Sequence, residues 1–263
     1  MHAFVFDIET VPDVDYGRRL YKLAKLADEE VARIMFTQRR AETGGEFLPL
    51  EQHRIVAISV AFRTRDSLKV WSLGDPASTE KELITRFYDG IEKHTPDLVT
   101  WNGAGFDLPV LHYRSLLHSV PAARYWETGD EDTTFRYNNY LSRFHWRHLD
   151  LMDVLSGFQG RGRASLDDIA TLLGFPGKIG MHGADVWDAY RSGRLLDVRN
   201  YCETDVFNTY LIYLRFQLIR GQLNAAEHLA EITRARAFLA ESGKAHFAAF
   251  LAAWPESGAA GSA

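Results

Sequence analysis

The chain opens on an apolar run, Phe4-Val5-Phe6, that passes into Asp7-Ile8-Glu9-Thr10. Such alternation predicts a short strand, on which residues two apart share a face. Asp7 and Glu9 therefore project together from the exit of a strand rich in Phe, Val and Ile. Over about residues 11–47, Leu20, Leu23, Ala24, Ala27, Val31 and Ile34 recur at helical spacing and predict a helical excursion of one or two helices. Its other face mixes Arg18, Arg19, Lys22, Lys25, Arg33, Arg39 and Arg40 with Asp28, Glu29 and Glu30. That pattern suits a solvated face, or a basic flap beside the Asp7/Glu9 strand. Thr43-Gly44-Gly45 ends it.

Runs at 54–62 and 68–73 predict two strands joined by the hairpin turn Arg63-Thr64-Arg65-Asp66. Ser78-Thr79-Glu80-Lys81-Glu82 opens an amphipathic helix that Pro96 closes, and Leu98-Val99-Thr100-Trp101 is a fourth strand. Gly103 and Gly105 then permit a tight turn. Asp107 heads an apolar helical run over 108–117, where an Asp is a natural N-cap. Leu149-Asp150-Leu151-Met152 reads as an edge strand passing into a helix, and Ser165 caps a short helix ending at Gly174. A long helix over about 198–220 buries a stripe of Val206, Leu211, Leu214 and Leu218, with Tyr201 and Asp205 four apart on one face. Two alanine-rich helices follow at about 225–253, and the small-residue tail at 255–263 is expected to be disordered. This order predicts an α/β fold, a mixed central sheet flanked by helices, in one domain over 1–253.

Composition changes this picture little. The chain has 263 residues, 46% of them hydrophobic and 25% charged, which is ordinary for a globular protein. No run approaches the ~20 apolar residues of a membrane span. Met1 leads straight into the first strand without a signal sequence, and the single Cys202 suits a reducing compartment, so a cytoplasmic location is expected. The formal charge of −5 gives no global sign of a polyanionic partner. Two divalent ions held by acidic ligands would bring it to about −1.

Candidate chemistry gathers at three places: Asp7 and Glu9; Trp101-Asn102-Gly103-Ala104-Gly105-Phe106-Asp107; and Tyr201-Cys202-Glu203-Thr204-Asp205. Paired carboxylates repel unless a cation joins them, and oxygen ligands on a rigid strand suit Mg2+ or Mn2+. Strand ends followed by helix starts are where α/β proteins place their chemistry. His145, His148, Asp150 and Asp153 have loose metal-like spacing and read better as strand and helix. The Gly157 to Gly162 loop carries Arg161 but lacks the Lys-Ser/Thr ending of a phosphate loop. Tyr125, Trp126, Phe135, Tyr137, Tyr140, Phe144 and Trp146 crowd 121–148, either packing on one another or offering stacking platforms to unpaired bases.

Together the three places resemble the exonuclease motifs of the DEDD superfamily, in its tyrosine-bearing branch. The closest likeness is to free-standing predicted exonucleases related to the proofreading domain of family B DNA polymerases. Gly174-Phe175-Pro176-Gly177-Lys178 and Leu166-Asp167-Asp168-Ile169-Ala170 extend it, so that it covers about 1–220. The resemblance implies a ribonuclease H-like (DnaQ-like) fold and a 3′-5′ exonuclease using two Mg2+ or Mn2+ ions on single-stranded 3′ ends. It further implies that Asp7 bridges the ions and that Glu9 and Asp205 complete the site of the attacking water. Asp107 would help anchor the second ion, and Tyr201 would orient the water. Asn102 would fix the turn that aims Asp107, beside Phe106, and main-chain groups near Ile8 and Thr10 would hold the terminal nucleotide. DNA is the expected substrate and RNA the alternative, since only a 2′-hydroxyl contact separates them. A catalytically idle docking module and a small-ester phosphatase are the alternatives from other classes.

Overall fold

Alternation along the first strand builds two cores. In the computed structural model, which describes residues 2–255, strand β1 (Ala3–Pro12) sends Phe4, Phe6 and Ile8 into one apolar cluster and Ala3 and Val5 into another. Strands β2 (His53–Arg63), β3 (Leu68–Ser72), β4 (Asp97–Thr100) and β5 (His148–Asp150) complete a mixed sheet in the order β3-β2-β1-β4-β5. β1 pairs antiparallel with β2 and parallel with β4, and β4 pairs parallel with β5. This is the expected α/β, ribonuclease H-like arrangement. The expected disordered tail lies, after Pro255, outside the described residues.

Helices α3 (Glu80–His94) and α4 (Asp107–His118) cover the Phe4 face, where Phe6 and Phe87 rings lie 4.7 Å apart. Helix α9 (Leu195–Ile219) covers the Val5 face. It was expected to bury one stripe, yet it is buried on almost every side over Tyr201–Gln217, and only toward its end is Leu218 half-exposed. The reason is a third layer. Helices α10 (Ala225–Glu241) and α11 (Ala245–Ala253) lie on its outer surface, where Phe207 meets Phe250 at 5.3 Å. A helix sandwiched between two layers is buried on all sides, so the polar residues it carries, such as Glu203 and Asn208, are satisfied by partners within the fold.

The excursion after β1 forms two helices, α1 (Val14–Tyr21) and α2 (Asp28–Thr43). Lys22 turns left-handed at φ 58° and ends α1, so Ala24 and Ala27 fall in an exposed connection and Leu20 is 48% exposed. The excursion is thus two helices, as the spacing allowed, and they meet through Val14, Gly17, Val31 and Met35. A Cβ on Gly17 would stand 2.5 Å from Met35 Sδ, so this crossing needs glycine. Arg18 pairs with Asp15 and Asp28, and Arg40 with Glu46. Paired in this way at the surface, those two arginines read as a solvated face, not a free basic flap.

The root of the excursion is fixed by a buried ion network. Arg114 of α4 reaches Asp13 Oδ2 at 2.5 Å and Glu80 at 2.6 and 2.8 Å. Glu80 also accepts from the amide of Ile55 on β2 at 2.7 Å. All three ionic side chains are buried. Arg114→Ala would take the guanidinium from two buried carboxylates, leaving them only neutral and imidazole donors, and should cost about 3–5 kcal/mol in urea unfolding. Arg40→Ala, on an exposed pair, should change stability by less than ~1 kcal/mol. Equal effects would show that the network carries no special load.

Candidate active site

The alternation that builds the cores also aims the carboxylates. Asp7 and Glu9 continue the Ala3–Val5 row and so face α9. A bulge follows at once, between Glu9 and Thr10. It increases local twist just past the two carboxylates, and pairing with β2 resumes from Thr10 to Pro12. On α9, Tyr201 and Asp205 present the same flank to β1, one turn apart. Cys202 lies beneath them, its Sγ 3.5 Å from the Asp7 carbonyl oxygen and 3.7 Å from Asp7 Oδ2.

Asp107 arrives from the other side through the turn after β4. It is the first residue of α4, not the N-cap, which is Phe106. The pairing of β1 with β4 ends at Val5, and beyond it the Ile8 amide donates to Asp107 Oδ1 at 3.1 Å. The Ile8 N–H, expected to be available to a terminal nucleotide, is thus taken by the carboxylate it helps to position. Asn102 adopts φ 64°, and its carbonyl accepts from the amides of Gly105 and Phe106 at 3.0 Å. A Cβ on Gly103 would come within 2.4 Å of Thr100 Oγ1, so the tightness of this turn demands glycine.

Two residues that contact the site were given no place in it from the sequence. Asp150, at the end of β5, grips the turn by accepting from Asn102 N at 3.0 Å and Ala104 N at 2.9 Å. Its neighbours in the loose His/Asp pattern do not gather on an ion: His148 contacts Thr100 Oγ1 at 2.9 Å, and Asp153 holds Arg143 and Arg163. Lys178 is the second. It follows helix α7 (Leu166–Leu172), and its ammonium lies 3.9 Å from Asp205 Oδ2 and 5.5 Å from the Tyr201 ring centre. Asp167 accepts from its amide at 2.7 Å, and a Cβ on Gly177 would sit 2.4 Å from that same oxygen. The Gly-Lys step was visible as a motif, but only the fold turns it toward Asp205.

Four carboxylates now share one edge, Glu9, Asp107 and Asp205 buried and Asp7 half-buried, and their acidities show the strain. Burial first, then the charges of Asp107, Glu9 and Asp205, hold Asp7 well above the ordinary carboxylate range. Burial and Asp205 do the same to Glu9, against the pull of Lys178. Burial pushes Asp107 up to about 7, opposed by the Ile8 amide, and Asp205 up to about 6, opposed by Lys178. The Tyr201 hydroxyl is driven far above its usual value by burial and then by Asp205, Glu9 and Asp7. Asp205 Oδ1 is buried with no hydrogen-bond partner. Ligand atoms of Asp7, Glu9 and Cys202 fall within 4.8 Å of one another. Hard oxygen donors, an orphaned buried oxygen and unrelieved repulsion fit divalent cations of the Mg2+ or Mn2+ kind.

A groove of about 600 Å³ opens beside Glu9, lined by Thr10, Phe47, His53 and Phe106 and closed by Trp187 of helix α8 (Val186–Arg191). The rings of Phe47, His53 and Phe106 lie 5.1–5.5 Å apart. His53 Nε2 faces the Leu48 carbonyl at 3.1 Å, so that nitrogen donates, and Nδ1 accepts from the Thr10 hydroxyl at 2.8 Å. Burial lowers the pKa of His53, which keeps this tautomer neutral.

The strand order defines the class, a ribonuclease H-like domain of the exonuclease kind. Over residues 45–254 the chain matches the family described as predicted 3′-5′ exonuclease related to the exonuclease domain of PolB, and it belongs to that family. The matched segment holds Asp107, Tyr201 and Asp205, whereas Asp7 and Glu9 lie outside it on β1. No curated protein matches the chain. Among the described residues no helix is long and apolar enough to cross a membrane.

The crowded carboxylates predict a pH signature in metal-free protein. Asp107 and Asp205 have folded pKa values of about 7 and about 6, above their unfolded values. Between about pH 4 and 7 the native state therefore binds more protons than the unfolded chain, and stability falls as pH rises. In EDTA, Tm should be lower at pH 8 than at pH 5. Asp205→Asn should flatten the slope and raise Tm at pH 8. An unchanged slope in that variant would show that Asp205 does not share the burden.

Proposed function

We propose that the chain is a metal-dependent 3′-5′ exonuclease that hydrolyses the terminal phosphodiester of single-stranded nucleic acid, with DNA as the favoured substrate. The convergence of Asp7, Glu9, Asp107 and Asp205 on one largely buried edge supports this reading. Bound there, two divalent ions would supply the Lewis acidity that activates a water and stabilises the departing 3′-oxygen. Asp7 and Glu9 from β1, Asp107 from the turn and Asp205 from α9 would hold them. Ile8 N–H and the Asp150-gripped turn keep Asp107 aimed. A tyrosine with its hydroxyl pKa raised this far is no base at neutral pH, so Tyr201 serves as a hydrogen-bond donor that orients the water. Lys178, with its ammonium 3.9 Å from Asp205 Oδ2, would offer a positive charge to the scissile phosphate. The groove walled by Phe47, Phe106 and Trp187 receives the terminal nucleoside, its base against the rings.

Cleavage of a 5′-labelled strand should stop in EDTA and return with Mg2+ or Mn2+; undiminished cleavage in chelator would refute the reading. Asp7→Ala should remove several orders of magnitude of rate. Tyr201→Phe should lower kcat and kcat/KM together by ~10–10³-fold with Tm nearly unchanged. A wild-type rate with a lower Tm would make Tyr201 a packing residue. Trp187→Ala should instead raise KM, with little change in kcat, if the groove binds the terminal nucleoside. An unaltered KM would remove the groove from the site.

A further inference from the structure

Because β1, β4 and β5 run parallel, their carboxyl ends lie at one edge of the sheet. The candidate active site occupies the β1 and β4 ends. Past the β5 end, Asp150 continues into helix α6 (Leu151–Leu155), and the 156–164 segment joins α6 to α7. This segment and the residues before β5 form an aromatic and basic surface that the chemistry above does not use.

Its geometry is unusual in three respects. Phe158 is held at φ 60°, directly after Gly157 at φ 60°. A bulky residue seldom adopts this left-handed conformation, and such strain persists only where the surroundings impose it. Here the Phe158 amide donates to the Asp153 carbonyl at 2.7 Å. The strained turn brings Phe158 against Phe144, with ring centres 5.1 Å apart, and Phe144 is 71% exposed. Arg143 lies over both rings, at 5.0 Å from Phe158 and 5.9 Å from Phe144. Charge is the third respect. Arg143 and Arg163 share the single carboxylate of Asp153, which leaves an excess positive charge, and exposed Arg161 has no ion pair among the described residues. On a chain of formal charge −5, this is a local basic patch with exposed aromatic faces.

The connection to the chemistry is short. Asp153 lies one helical turn from Asp150, and Asp150 grips the turn that carries Asp107. Exposed rings interleaved with guanidinium groups are suited to a single strand, whose bases stack and whose phosphates pair. We propose that Phe144, Phe158, Arg143, Arg161 and Arg163 form a landing path for the single strand several nucleotides upstream of the 3′ end being cleaved. This rests on the exonuclease reading and adds to it a preference for longer, unpaired substrates.

The test compares a trinucleotide with a strand of about ten nucleotides, each as DNA and as RNA, cleaved by wild type and by Phe144→Ala and Arg161→Ala. Both substituted side chains are exposed, so folding should survive. The wild type should favour the longer strand, and Phe144→Ala should shrink that advantage in kcat/KM about tenfold, the loss of one stacked base. Arg161→Ala should lower the salt slope on the longer strand by about 0.7, one phosphate contact. A wild type that cleaves both lengths equally well, or variants that lose activity equally on both, would overturn the path while leaving the exonuclease. A wild type that cleaves neither strand with Mn2+ would overturn the exonuclease reading and the path with it.

Discussion

Repulsion among four carboxylates is the constraint around which this molecule is built. Left to relax, Asp7, Glu9, Asp107 and Asp205 would separate into water, because burial and mutual charge both penalise their ionised forms. What prevents separation is rigid backbone on each side. Asp7 and Glu9 are fixed by a strand paired along its length with β2. Asp205 belongs to a 25-residue helix enclosed by the sheet on one side and α10 and α11 on the other. Asp107 alone comes from a turn, and that turn is held by an Asp150 carboxylate and an Ile8 amide. The carboxylates are thus held by elements whose packing does not depend on them, the arrangement that a preorganised site needs.

The same logic explains the acidic residue between Tyr201 and Asp205. Glu203 lies two positions from Asp205, which turns it away from the site on a helix. It accepts from the Ser72 amide at 2.9 Å, from Lys244 at 2.6 Å and from His246 at 2.9 Å. One carboxylate therefore ties α9 to β3 and to α11. Arg63 does similar work, pairing with Glu231 of α10 at 2.5 and 2.7 Å. The C-terminal helices are in this way locked to the back of the helix that carries Tyr201 and Asp205.

Much of the fold was legible because period and punctuation agreed. β2, β3 and β4, their hairpin and the Asp107 turn all follow from apolar runs ended by Gly, Pro or charge. The three motifs also held the four carboxylates whose charges act on one another in the structure. Other features were hidden because they depend on contacts distant in sequence. Nothing local marks Asp150 as the support of a turn 46 to 48 residues earlier. Lys178 reads as one more surface lysine until α7 and Asn208, which donates to the Gly177 carbonyl at 2.8 Å, fix its direction. In the excursion the helices were legible but the break between them was not. Leu20, Ala24 and Ala27 keep helical spacing across a break, since a left-handed lysine at 22 leaves no trace in a hydrophobicity pattern.

That excursion also shows how charge and aromaticity divide the work around the site. Arg18 and Arg40 are spent on neighbouring carboxylates. What 11–47 brings to the groove beside Glu9 is chiefly apolar, Val11, Pro12, Phe36 and Phe47. On the opposite flank, beyond β5, guanidinium groups outnumber the carboxylate they share and lie over exposed rings. A strand entering between these flanks would meet diffuse positive charge first and close aromatic walls last. Long-range attraction acts before contact and weakens with salt, whereas stacking acts only at contact. The order of the two along the carboxyl edge therefore matches the order in which a polyanion would need them.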